Sequence, residues 1–136
     1  MRALCLVAAA LLAATPAWPQ SFTTAAEIRP IIEATRAAWV ALRPWDGKEL
    51  LYFTHLESWR CSMAEVRFSV NSSAATRVWQ MLPCLTGTAQ PNAIPADRLP
   101  YTELPAGALQ TVTVVVVLAD GTELRQDYAR ARILMP

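Results

Sequence analysis

The segment Tyr52-Phe53-Thr54-His55-Leu56-Glu57-Ser58-Trp59-Arg60-Cys61 holds the chain's one histidine, three aromatic rings, a carboxylate, two aliphatic hydroxyls, an arginine and a cysteine. Acid–base chemistry would fall to His55, whose side chain changes charge near neutral pH. Paired with Glu57 or Ser58 it would serve a small hydrolase or redox enzyme. The surrounding pattern argues against that pairing. A serine nucleophile calls for a strained Gly-x-Ser-x-Gly elbow, and none is present. A zinc centre needs three or four ligands, and one histidine with a nearby glutamate does not supply them. Carboxylate pairs such as Glu57 with Glu65, or Asp120 with Glu123, carry no spacing that sets them across a cleft. Four scattered glycines exclude a phosphate-binding loop. The sequence therefore names no catalytic residue, no metal site and no cofactor. His55 reads as a strand-end residue with a backbone hydrogen bond. Tyr52, His55, Trp59 and Arg60 are the candidate binding residues, because Trp, Tyr and Arg dominate binding hot spots.

Arginines 60, 67, 77, 125, 130 and 132, with Trp39, Trp45, Trp59 and Trp79, offer a wider surface for an anion or a partner. Pairing with Glu65, Glu123 and Asp127 on a solvated sheet face is the plainer reading. The chain has 136 residues and a formal net charge of +1. Removing Arg2 with the first twenty residues brings that to zero, which excludes a basic nucleic-acid binder.

Those first twenty residues have the layout of a secretory signal peptide. Arg2 is the positive start, Leu4 to Ala14 is unbroken apolar sequence, and Thr15-Pro16-Ala17 is a small-x-small cleavage site. The run is too short to span a bilayer, and no transmembrane segment is expected in the mature chain. Residues 21–136 then form a single domain, periplasmic or secreted. Arginine-rich, lysine-poor usage points to a GC-rich bacterial source. Cys61 and Cys84 remain, an even count in an oxidising compartment, and are expected to form a structural disulfide worth about 3 kcal/mol by chain entropy.

The elements that position these residues can be read from pattern. Thr24 and Glu27 have capping-box spacing, and Ile28, Ile31, Ile32 and Thr35 recur at helical spacing. Pro30, tolerable only in a first turn, confines the helix start to Thr24–Arg29, and the helix runs to about Ala38. Three hairpins follow. Residues 39–45 and 48–55 flank Asp46-Gly47, and a two-residue turn sets Val40 opposite Phe53 and Leu42 opposite Leu51. Pro44 makes the first of these an edge strand. Residues 64–70 and 75–82 flank Asn71–Ala74. A turn on Ser72-Ser73 sets Phe68 opposite Arg77 and brings Cys61 opposite Cys84. Residues 109–118 and 122–134 flank Ala119-Asp120-Gly121. A bulged three-residue loop sets Val116 opposite Leu124 and Val112 opposite Tyr128, which separates apolar from polar faces. Proline-rich residues 85–107 read as a loop pinned over the sheet by Ile94, Leu99, Tyr101 and Leu104. The fold class is α+β: an N-terminal helix on a mostly antiparallel sheet of about six strands, with one disulfide.

The segment Tyr52–Cys61, with Pro83-Cys84 and Gly87–Ala93, resembles in layout small signal-bearing bacterial secreted proteins of unknown function. The resemblance spans Trp39 to Pro136, and it implies neither an activity nor a catalytic residue. The expected role is a non-enzymatic binding or accessory module acting on a periplasmic protein or a small ligand. An inhibitor or immunity-type protein contacting its target through residues 85–107 is a further alternative.

Overall fold

The computed structural model describes residues 13–14 and 21–136. The expected leader, residues 1–20, lies outside the described residues apart from 13–14. Helix α1 (Ala25–Ala34) opens on Thr24, whose hydroxyl accepts the Glu27 N–H at 3.3 Å and donates to the Glu27 carboxylate at 2.8 Å. Thr24 thus satisfies a first-turn donor as the capping spacing predicts, and the Glu27 carboxylate accepts the N–H of Phe22, two residues ahead of the cap, at 3.2 Å. Pro30 lies in the second turn, deeper than its missing N–H normally allows. The cap on one side and the fully buried Ile28 and Ile32 on the other hold the helix through it. The helix ends sooner than Ala38: Thr35 closes it, and a short 3₁₀ turn spans Arg36–Ala38. The indole N–H of the buried Trp39 donates to the Ile32 carbonyl at 2.9 Å, fixing the exit from the helix.

Seven strands form two antiparallel sheets rather than one sheet of six. The smaller contains β1 (Ala41–Trp45), β2 (Lys48–Tyr52) and β5 (Tyr101–Pro105), in the order β1-β2-β5. Asp46 and Gly47 both take positive φ (50° and 73°), as a type I′ turn requires. Leu42 then pairs with Leu51, in the predicted register. β1 is the edge that Pro44 predicts, and its outer side carries only a parallel bridge from Leu42 to Leu134.

The larger sheet contains β3 (Met63–Val70), β4 (Arg77–Val78), β6 (Thr111–Leu118) and β7 (Glu123–Ala129), in the order β4-β3-β6-β7. Phe68 pairs with Arg77, and Val116 with Leu124. Both predicted registers hold, with Gly121 left-handed at φ 86° in the bulged loop. The second hairpin is much shorter than expected, with β4 pairing only at Arg67–Val78 and Phe68–Arg77, and the apolar β6 pairs with the other side of β3 along nearly its whole length. One core joins both sheets and α1. It includes Trp39, Leu51, Phe53, Phe68, Val112 and Val116.

Three further differences bear on function. Residues 48–55 do not continue as a strand. Phe53 turns its N–H to the Pro100 carbonyl at 2.7 Å, and a one-turn helix, α2 (Thr54–Glu57), follows. Residues 101–105 are a strand and not a loop cover. At the end of β7 another one-turn helix, α3 (Arg130–Ile133), lets the Met135 N–H reach the Leu42 carbonyl at 2.8 Å. Among the described residues, no helix is long and apolar enough to cross a membrane.

Candidate functional site

Helix α2 decides the fate of the chemistry-rich segment. At roughly 100° per residue, His55 and Glu57 leave a helical turn in nearly opposite directions. Glu57 points inward and is fully buried. Its carboxylate accepts the Trp79 indole N–H at 3.0 Å and the Arg98 Nε–H at 3.1 Å, with a further contact from Arg98 Nη2. Arg98 also donates to the Gln80 carbonyl at 2.6 Å. Glu57 is thus an internal anchor for the segment after β4 and for the loop before β5, and it does not act on His55.

His55 points the other way and is half-buried. Its Nε2 lies 2.9 Å from the Thr35 hydroxyl oxygen. Thr35 has one hydroxyl proton, which it donates to the Ile31 carbonyl at 2.7 Å, so its oxygen accepts from His55 Nε2–H. Burial pushes the imidazole pKa below its ordinary 6.5. The ring is therefore neutral at pH 7, and Nδ1 carries a lone pair. Among the described residues Nδ1 has no protein partner, and it is not an enclosed atom, so it is open to the space beside it. Ser58, the neighbouring hydroxyl, donates to the Thr54 carbonyl at 2.8 Å and makes no bond to His55. His55 therefore bonds a helix side chain, and not backbone at a strand end as expected.

The open space is a cleft of about 580 Å³ between the end of α1, β1, β2 and α2. Ala38, Ala41 and Met135 supply its accessible apolar surface, backed by the buried Trp39 and Val40, and Arg43, Tyr52, Thr54 and His55 supply its polar groups. Tyr52 packs its ring on Tyr101 at 5.1 Å. Arg43 lays its guanidinium over the Trp45 ring, 4.2 Å from the centroid. The β1–β2 register puts Ala41, Arg43 and Tyr52 on one face, with Arg43 and Tyr52 diagonal neighbours about 7–8 Å apart.

Of the four binding candidates, Tyr52 and His55 line this cleft, and Trp59 and Arg60 do not. Trp59 packs edge-on against Phe22 at 5.2 Å beside the loop residues Gln90–Ala93, with its indole N–H enclosed and without a protein acceptor. Arg60 is 3% exposed and turned inward. Its guanidinium donates to the carbonyls of Pro83 (3.0 Å), Glu57 (3.2 Å), Asn92 (2.8 Å) and Ala93 (2.9 Å). Arg60 presents nothing to a partner; it gathers a loop. Next to it Cys61 is disulfide-bonded to Cys84, Cα–Cα 4.8 Å, as the hairpin register predicts.

The wider Trp/Arg surface resolves in the same manner. Trp39 is buried, and Trp79 stacks on Phe53 at 4.4 Å. Arg67 pairs with Glu65 and Glu123, each at 3.2 Å, and Arg125 with Asp127 at 3.6 Å. Among the described residues, Trp45, 56% exposed, is the large aromatic ring left in solvent. The sequence reading missed Arg43 and Thr54 at the cleft. The signal for Arg43 was present, since the predicted register already put it on the face of Tyr52. No family model matches the chain, and neither curated proteins nor solved structures provide a match.

Proposed function

We propose that this chain is a periplasmic or secreted, non-enzymatic binding module whose ligand site is the cleft of Tyr52 and His55. One observation carries the reading. Among the described residues, Arg43, the Tyr52 and Thr54 hydroxyls and His55 Nδ1 have no protein hydrogen-bond partner, and all four residues line one partly apolar cleft. Ligand sites combine an apolar lining with a few polar groups of this kind, at volumes of roughly 300–1,000 Å³. The divergence of His55 from Glu57 and the Ser58 hydroxyl's bond to the Thr54 carbonyl weigh against the hydrolase alternative, because the imidazole is then bonded to no nucleophile that it could activate. The apolar run Leu4–Ala14 and the Cys61–Cys84 bridge support the compartment.

Chemical-shift perturbation with benzyl alcohol, phenylacetamide and indole as probes tests the site. Binding to the cleft moves the amide signals of Tyr52, Thr54 and His55. Probes that move only signals around Trp59 and residues 89–93, or none, overturn the assignment.

A further inference from the structure

We infer that the cleft recognises a small carboxylate with an apolar body, and that Arg43 is the anion anchor. This deepens the binding reading above and rests on it.

The inference starts from the state of the arginines. Arg29, Arg67, Arg98, Arg125 and Arg130 are in ion pairs. Arg36 and Arg60 donate to backbone carbonyls. Arg43, Arg77 and Arg132 do neither among the described residues; of these three only Arg43 lines the Tyr52–His55 cleft, whose lining contains no aspartate or glutamate. A half-buried arginine in such a cleft, with no protein acceptor among the described residues, is available to an anion.

Its geometry favours a planar one. Stacking on Trp45 holds the guanidinium flat against a ring without occupying any of its five donors. The exposed fork then matches a carboxylate edge in a two-point, charge-assisted contact. The Tyr52 hydroxyl, on the same face and steadied by Tyr101, supplies a further donor. A phosphate monoester fits less well. One cation balances one charge, and the lone pair on His55 Nδ1 repels a second. The accessible apolar surface of Ala38, Ala41 and Met135 selects an aromatic or short acyl body behind the head group.

Matched probes separate the head group from the body. 3-Phenylpropionate and 3-phenylpropionamide are titrated into the mature chain by chemical-shift perturbation, in wild type, Arg43→Met, Arg43→Lys and the control Arg77→Met. Arg77 stands over Phe68 in the other sheet. Wild type binds the acid at least tenfold tighter than the amide. Arg43→Met loses that preference while keeping amide affinity within twofold, Arg43→Lys retains part of it, and Arg77→Met matches wild type. Equal affinity for acid and amide at Tyr52, Thr54 and His55 overturns the carboxylate assignment and leaves the binding module standing. If neither probe moves those signals, both readings fall. Spectra away from the cleft confirm that each variant is folded.

Discussion

Replacing Arg60 by methionine separates an internal clamp from a partner-binding residue. Methionine keeps most of the aliphatic stem, so the packing loss is small and the missing guanidinium dominates. Four carbonyls at 2.8–3.2 Å lose a charged donor, and they come from three separate stretches: Glu57, Pro83, and Asn92 with Ala93. A hydrogen bond to a charged group contributes roughly 1.5–3 kcal/mol. A simple sum over four is too large, because the carbonyls of the exposed Pro83 and the half-buried Asn92 and Ala93 can regain water. The Glu57 carbonyl sits in a fully buried residue and has the least access to replacement. The expected loss is about 3–5 kcal/mol, a large share of the 5–15 kcal/mol typical of a whole domain. Urea unfolding at pH 7 measures it, and hydrogen exchange localises it. Protection falls first at residues 83–93, while β6 and β7 keep theirs. A loss under about 1 kcal/mol, with protection of the loop unchanged, refutes the clamp and returns Arg60 to the list of surface candidates.

Three other expectations follow from the same geometry. Replacing Cys61 and Cys84 together by serine lowers stability by about 3 kcal/mol, read from the urea midpoint; an unchanged midpoint refutes a structural role. Glu49 is buried and is held below its ordinary carboxylate pKa by the Arg130 hydrogen bond, against desolvation that opposes it. Its contribution is therefore complete above the unfolded value of 4.5 and is lost as pH falls through the lower folded value. Glu49→Gln is less stable at pH 7 and shows a shallower loss in acid; parallel pH curves for the two proteins refute this. For His55, whose pKa burial lowers, the unfolded chain takes up the proton first. Stability falls as pH drops below 6.5, and nitrogen-15 shifts of the ring show the Nε2–H tautomer. A proton on Nδ1 at pH 7, or a pKa at or above 6.5, contradicts the assignment.

What the sequence made legible was local pairing. Asp46-Gly47 and Gly121 fix turns whose geometry sets every register beyond them, so Leu42 with Leu51 and Val116 with Leu124 follow from counting. The disulfide was legible for the same reason, since Cys61 and Cys84 fall opposite each other in the Phe68–Arg77 register. Strand β5 was not. Tyr101–Pro105 carries a proline at its end and follows another, its burial does not alternate cleanly, and its partner β2 lies some fifty residues upstream. Only the edge position of β5 makes Pro105 acceptable. The site was half legible. Tyr52 and His55 stood out by residue type, whereas the inward turn of Glu57 and Arg60 depends on α2 and on loop carbonyls thirty residues away. No periodicity encodes such contacts.

The sheet order also sets a schedule. β2 waits for β5, and β3 waits for β6, so each sheet is completed only by a strand made long after its first hairpin. Closing such long loops comes before the reward of pairing them, and chains with many distant contacts fold slowly. Oxidation of Cys61 to Cys84 ties the start of β3 to the segment beyond β4 and shortens that search. The chain should reach its native state markedly faster when the bridge is kept during unfolding than when it starts fully reduced.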